Sequence, residues 1–346
     1  MSSSIRMSSF SRHSPPAERR WWWGARGGIA LALVAVLVAS APARAQSLSL
    51  ARADALLHAG RVFSAESLYY EAVSRTPRDP IARLALGRYL AGRGAWKVGA
   101  VLMEEARYFG GDAGMVAGEL APIYARLGDF GALAALPASR LSTPERLRAQ
   151  WLREHPPSVT GPDSVTVPYR VVDSRTFGRI TLVIGTDSVS ATVDPRTEGL
   201  VLDTAWQRRK TIRRFGGGAG GDGGQSPGIV AVGVAPSLGV GDLTLTNVPI
   251  RFAPQRTALA VTVGVDLLGR LAPTFDLAGG RMLLRRSGRV AGDLPGTHIP
   301  TLAIGPEPLL VKADTTLPLS HPEATILLRD HVWTLLPRKG EVVIAP

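Results

Sequence analysis

A Pro- and Gly-rich divide, His155-Pro156-Pro157 through Gly161-Pro162, separates two kinds of sequence in this chain. Proline fixes φ and donates no backbone hydrogen bond, so neither a helix nor a central strand runs through such a stretch. Before the divide, small and apolar residues recur at helical spacing. After it come short apolar runs separated by turns, at 165–172, 180–184, 189–193, 199–202, 229–234, 243–245, 248–252 and 282–284. Runs of that length and spacing read as strands of an all-β domain. The expected chain is therefore multidomain, with helices over 46–154, a linker over 155–164, a β domain over 165–287 and a β-rich C-terminal extension over 288–346. With 346 residues, 45% of them apolar, it has material for two modest cores.

The formal charge of +12 invites a nucleic-acid reading, and the distribution argues against it. Only Lys97, Lys210, Lys312 and Lys339 are lysines among the 40 basic residues, and no basic run interleaves with aromatics. Removing the six Arg and one Glu of residues 1–45 leaves 34 basic and 27 acidic residues, a net +7. Such Arg bias fits coding composition better than a binding patch, and no nucleic-acid partner is expected. Cysteine is absent, which rules out disulfides, thiolate nucleophiles and Cys-ligated metals. The six His are scattered without ligand spacing, so no metal or other cofactor is expected.

Residues 1–45 read as an export signal. A basic region ends at Arg19-Arg20 and Arg26, an apolar run spans 28–41, and Ala43-Arg44-Ala45 offers small residues where a signal peptidase cuts. The run is short for a membrane span of about 20 residues. The expectation is an exported protein, periplasmic or in the cell envelope, without a membrane partner once the signal is gone. An uncleaved anchor is the alternative.

Between the signal and the divide the chain repeats. Gly60, Gly94 and Gly128 lie 34 residues apart, as do Ala53, Gly87 and Ala121, and Ala72 and Ala106. This resembles the tetratricopeptide repeat, a helix–turn–helix unit of 34 residues. The resemblance implies antiparallel helix pairs with small residues at close crossings, and a surface for a peptide or protein partner. An ordinary helical bundle is the alternative. The third unit is short over 129–136. Ser142-Thr143-Pro144-Glu145 then reads as a capping box opening a closing helix over 143–154.

Chemistry concentrates at Ala191-Thr192-Val193-Asp194-Pro195-Arg196-Thr197-Glu198-Gly199-Leu200-Val201-Leu202. The stretch resembles the active-site loop of retropepsin-like aspartic peptidases, in which an apolar strand leads into Asp-Thr-Gly-Ala and an apolar strand follows. Two further pieces resemble that family in order and spacing. One is the hairpin Val240-Gly241-Asp242 through Asn247-Val248-Pro249-Ile250. The other is Val263-Gly264-Val265-Asp266-Leu267-Leu268, whose Gly264 turn would cross behind the active loop. The resemblance implies an all-β, acid-protease-type barrel over about 165–286, with Asp194 as the catalytic carboxylate and a flap at 216–224 that includes Gly218 and Gly220. The rival register, Asp203-Thr204-Ala205, is closer in letters, but Arg209-Lys210-Thr211 stands where a core strand must follow. Asp203 is therefore expected to open a turn or helix after the strand.

In that family two such loops, one per subunit, bring together carboxylates that share one proton. Pro195 has no hydroxyl to lock the loops together and no backbone N–H. Arg196 puts a long side chain where close approach is required, and its charge favours two ionised carboxylates over a shared proton. The loop is degenerate, and Asp194 also reads simply as a turn residue before proline.

The remaining signals carry less. One Gly-Gly-x-Gly-x-Asp match within 216–224 falls short of the tandem copies that calcium-binding β-rolls need. Asp314-Thr315-Thr316 echoes an Asp-Thr loop with too little chain after it for a second lobe. No phosphate-binding loop and no Gly-x-Ser-x-Gly elbow is present. The expected function is a peptide- or protein-binding module or scaffold with an inactive peptidase-like domain. The alternative is an active aspartic endopeptidase using Asp194 from two subunits. Monomer and homodimer both remain open.

Overall fold

Among the described residues seven helices come first: α1 (residues 48–58), α2 (Val62–Arg75), α3 (Pro80–Gly92), α4 (Trp96–Tyr108), α5 (Ala113–Leu127), α6 (Phe130–Ala134) and α7 (Thr143–Glu154). Their starts are written locally. The Asp79 side chain accepts from the Ile81 N–H ahead of α3, and Asp112 accepts from the Met115 N–H at 2.6 Å ahead of α5. Ser142 and Glu145 form a reciprocal capping box at α7. Consecutive helices pack through one apolar stripe. In α4 the buried positions are Gly99, Ala100, Met103 and Ala106, the spacing of a single helical face. The tightest crossing is α3 on α4, where a Cβ on Gly99 would lie 2.7 Å from the Gly87 carbonyl oxygen.

The 34-residue glycine spacing has a different cause from the expected helix contact. Gly60, Gly94 and Gly128 have φ of +79°, +84° and +73° and end the turns after α1, α3 and α5. Left-handed backbone at a helix end favours glycine, so one glycine recurs per helix pair. Gly60 and Gly94 also lie against C-terminal backbone: a Cβ on Gly94 would come 2.4 Å from the Pro337 carbonyl oxygen. Gly128 faces open space.

The strands are β1 (Ser158–Thr160), β2 (Ser164–Pro168), β3 (Gly178–Ile184), β4 (Asp187–Val193), β5 (Leu200–Asp203), β6 (Arg213–Gly217), β7 (Ala231–Val240), β8 (Leu243–Ala253), β9 (Val261–Val263), β10 (Thr274–Asp276), β11 (Arg281–Arg285), β12 (Thr297–Leu302), β13 (Leu309–Lys312), β14 (Thr315–Pro318), β15 (Val332–Leu336) and β16 (Glu341–Ile344). Two short helices interrupt them, α8 (Val265–Gly269) and α9 (Pro322–Arg329). Strands β5, β9, β4, β3, β7 and β8 close into a ring, because β8 pairs with both β5 and β7. Closure leaves these six without free edges, and β1 and β6 attach outside the ring. Strand β8 serves β1 with residues 244–246 and β5 with residues 250–253. Between these stretches Asn247 has φ +55°, a left-handed step that asparagine tolerates.

A second sheet runs β14-β13-β12-β16-β15-β10-β11-β2. The expected boundary between a β domain ending at 287 and an extension beginning at 288 passes through this sheet. Strand β10 pairs with β11 on one side and with β15 on the other. Strand β1 likewise lies within the expected linker. Both sheets share a core, in which Phe275 stacks on Trp333 at 4.2 Å and meets Tyr169 edge-on.

This computed structural model describes residues 48–171, 178–209, 211–217, 230–255, 260–303, 305, 307–312 and 315–346. The export-signal expectation, Gly218 and Gly220 of the flap, and Asp314 lie outside the described residues. Residues 49–346 form one compact unit. The helices are fastened to the sheets by hydrogen bonds: the Ala303 N–H donates to the Gly92 carbonyl at 2.7 Å, and the Arg93 side chain donates through Nη1 to the carbonyls of Thr301 and Gly340.

Candidate functional site

Strands β3 and β4 join at Gly185-Thr186, with Ile184 opposite Asp187 and Gly178 opposite Val193. Ile180, Leu182, Ile184, Ala191 and Val193 point into the core, so the alternation of the hairpin aims β4 at the barrel interior. Strand β4 then pairs in parallel with β9, and the Asp194 N–H extends the ladder to the Val263 carbonyl at 3.0 Å. Strand β5 returns along the other edge of β9, antiparallel, with Leu200 opposite Val263. The loop 194–199 therefore wraps the end of β9.

The chain leaving β9 turns at Gly264 directly against this loop. The Gly264 N–H donates to the Gly199 carbonyl at 2.7 Å. A Cβ at Gly264 would lie 2.1 Å from the Thr197 carbonyl oxygen, so only glycine fits. One turn on, the Asp266 carboxylate accepts from the Gly199 N–H at 2.8 and 3.1 Å. Burial pushes the pKa of Asp266 above the ordinary carboxylate value, and the Gly199 N–H only partly offsets this.

Inside the loop Asp194 is fully engaged by its own neighbour. Its Oδ1 accepts from the Arg196 backbone N–H at 2.9 Å and from Arg196 Nε at 3.0 Å, and its Oδ2 from Arg196 Nη2 at 3.0 Å. This is a two-pronged guanidinium–carboxylate pair closed over a single proline. The carboxylate side is 17% exposed and the arginine side 53%. Pro195 between them is buried. The Thr197 N–H returns to the Asp194 carbonyl at 3.1 Å, which tightens the turn.

Glu198 points the other way, toward the helices. Arg251 of β8 donates to it at 2.9 Å. Burial opposes ionisation of Glu198, but Arg251 outweighs it, so the pKa is net lowered. Beside this pair Arg148 of α7 donates to the Ile250 carbonyl at 2.9 Å. Burial, with Arg251 close by, pushes the Arg148 pKa down to about 10.

Asp194, Gly264 and the degenerate positions Pro195 and Arg196 are thus brought together at one crossing. Asp203 lies apart, as the cap of a 3-10 turn, Thr204–Arg208. Its side chain accepts from the Ala205 N–H at 2.9 Å and the Gln255 N–H at 3.1 Å. Among the described residues no cluster of three or more His, Asp or Glu is placed to hold a metal. Sequence reasoning assigned no role to Glu198, Arg251, Arg148 or Asp266. A carboxylate inside the apolar run 263–268 was a usable signal for Asp266. Nothing local links Glu198 to Arg251.

No protein-family model matches this chain, and no curated protein matches it. A solved structure that it resembles is a retropepsin-like aspartic protease from Rickettsia conorii. That structure is 14% identical, matches over 37% of this chain and 92% of its own, and has a TM-score of 0.24.

Proposed function

We propose that the chain is an exported peptide- or protein-binding module, in which a tetratricopeptide-like helical array is joined to a retropepsin-like β domain that does not hydrolyse peptides. A closed six-stranded ring supports the β-domain reading. So does a carboxylate-bearing loop that wraps a central strand and is backed by a glycine turn. The observation that carries non-catalysis is the pair of bonds from Arg196 to both oxygens of Asp194. Water activation by a carboxylate dyad needs an Asp194 oxygen free to face a second carboxylate across one shared proton. Here Arg196 covers both oxygens, and Pro195 leaves the loop without the hydroxyl and N–H that would position a partner loop.

A peptidase assay from acidic to neutral pH on protein lacking residues 1–45 tests the proposal. Wild type, Asp194→Asn and the double variant Pro195→Thr with Arg196→Gly are compared. Wild type is expected to be silent. Activity in wild type that Asp194→Asn abolishes would overturn the proposal in favour of a two-subunit endopeptidase.

A further inference from the structure

Two adjoining cavities, each of about 410 Å³, lie beside the helices, the first where they meet both sheets and the second against the turns that carry Arg289 and Arg338. They share Gly94, Trp96, Arg126, Leu127 and Arg338, so they form one elongated cleft. The first is lined by apolar groups of the array and the barrel, among them Phe130, Leu245 and Val248, and by Arg126, Arg270, Arg286 and Arg338. The second adds Lys97 and Arg289. Among the described residues six cations face one lining carboxylate, Asp266, already engaged by the Gly199 N–H. Among the described residues Lys97, Arg126, Arg289 and Arg338 have no ion pair and no side-chain hydrogen bond within the protein. Arg286 meets only the exposed Asp163, and Arg270 donates to the Ala125 carbonyl. Burial, against the pull of Asp266, and the charges of Arg338 and Arg126 lower the pKa of Arg270. Arg126 is drawn toward Glu198, Arg270 toward Asp266 and Arg286 toward Asp163, whereas Lys97, Arg289 and Arg338 meet no carboxylate among the described residues, and this excess of cations beside apolar walls favours a ligand that brings its own negative charge.

We propose that this cleft binds an extended acidic peptide segment, with apolar side chains against Trp96 and Leu127 and carboxylates on the flanking arginines. The inference rests on the binding-module reading above and names its ligand class. The spread of charge decides between peptide and single-headed amphiphile. Cations line both cavities, and Lys97 and Arg289 occur only in the second. One headgroup would leave one set unmet, whereas a chain carrying several carboxylates meets both.

The test is fluorescence anisotropy with a labelled peptide of alternating glutamate and leucine, on protein lacking residues 1–45. A peptide with lysine for glutamate and dodecanoate as competitor serve as comparisons. The acidic peptide is expected to bind, to weaken as salt rises, and to lose more than about tenfold in affinity on Arg126→Glu with Arg338→Glu. Lys97→Glu with Arg289→Glu, both at exposed positions, gives a second reading should the first pair disturb folding. Equal binding of the lysine peptide, or displacement by dodecanoate at matched charge concentration, would overturn the proposal. Acidic-peptide binding that neither pair weakens would remove the cleft while leaving the binding module. Cleavage dependent on Asp194 would instead remove the module reading and leave the cleft.

Discussion

In the loop 194–199 each carboxylate has an arginine on it. Asp194 is held by Arg196 from within the loop, and Glu198 by Arg251 from β8. In the cleft the cations come from distant parts of the chain, and among the described residues Lys97, Arg289 and Arg338 meet no carboxylate. The contrast separates a region whose charges are internally paired from one with an excess of cations. In the loop both Asp194 oxygens already accept from Arg196. The excess of cations in the cleft carries a standing electrostatic preference, which solvent and salt screen at the exposed Lys97, Arg286, Arg289 and Arg338. The proposal places binding in the cleft and assigns the Asp194–Arg196 pair to the turn itself.

The sharpest way to break the comparison is to unpin the loop. Gly264→Val places a branched side chain where a Cβ would already lie 2.1 Å from the Thr197 oxygen and 3.0 Å from the Gly199 nitrogen. The backbone of the crossing must move, and a loss of about 3 kcal/mol or more is expected in urea unfolding. Gly199→Ala is the internal control. Its Cβ would meet nothing within 4 Å, but φ is +69°, so the expected cost is about 1–2 kcal/mol. Equal costs would mean that the crossing is softer than drawn.

A smaller effect tests the balance of Glu198. Its folded pKa is lowered, so the stabilisation is fully present above the unfolded carboxylate value. It is lost as pH falls through the folded value. Glu198→Gln should cost about 1.5–3 kcal/mol at neutral pH and flatten the acid limb of the stability profile. Asp266 has the opposite sign. Its pKa is raised, so its contribution is present at acidic pH and declines as pH rises through the folded value. Asp266→Asn, which keeps an acceptor for Gly199, should relieve that decline. Parallel pH profiles for the two variants would contradict the assignment of opposite roles.

Much of the local architecture was legible before any coordinates. The β3–β4 hairpin follows from alternation around Gly185, and α7 from the Ser142 capping box, because both are set by neighbours in sequence. The partner exchange of β10 and β11 into the C-terminal sheet was not legible. Short apolar runs of three to five residues fit either sheet, and the choice depends on which long-range edge is free. The glycine repeat was visible and its cause was not, since a helix crossing and a left-handed helix end both select glycine. At the site, Arg196 beside Asp194 was readable as a charge conflict. That the side chain folds back over proline onto both oxygens required the turn geometry. The cleft was illegible because its cations span residues 97 to 338.

The smallest expected effect bears most directly on what the Asp194–Arg196 pair is for. Arg196 is about half exposed, and exposed pairs contribute about 0–1 kcal/mol because water and salt screen them. Arg196→Ala should therefore change unfolding stability by no more than about 1 kcal/mol. The loop retains its Thr197–Asp194 and Gly264–Gly199 backbone bonds, and Pro195 still fixes the turn. A loss well beyond this would mean that the arginine holds the loop in place and is part of the fold. A small loss would mean that the arginine chiefly occupies a carboxylate. In that case the same variant, tested for peptide hydrolysis beside Pro195→Thr with Arg196→Gly, separates the two obstacles. Activity in both variants would assign an inactive loop to the guanidinium, and activity in the double variant alone would assign it to Pro195 or to the Cβ that Arg196→Ala keeps.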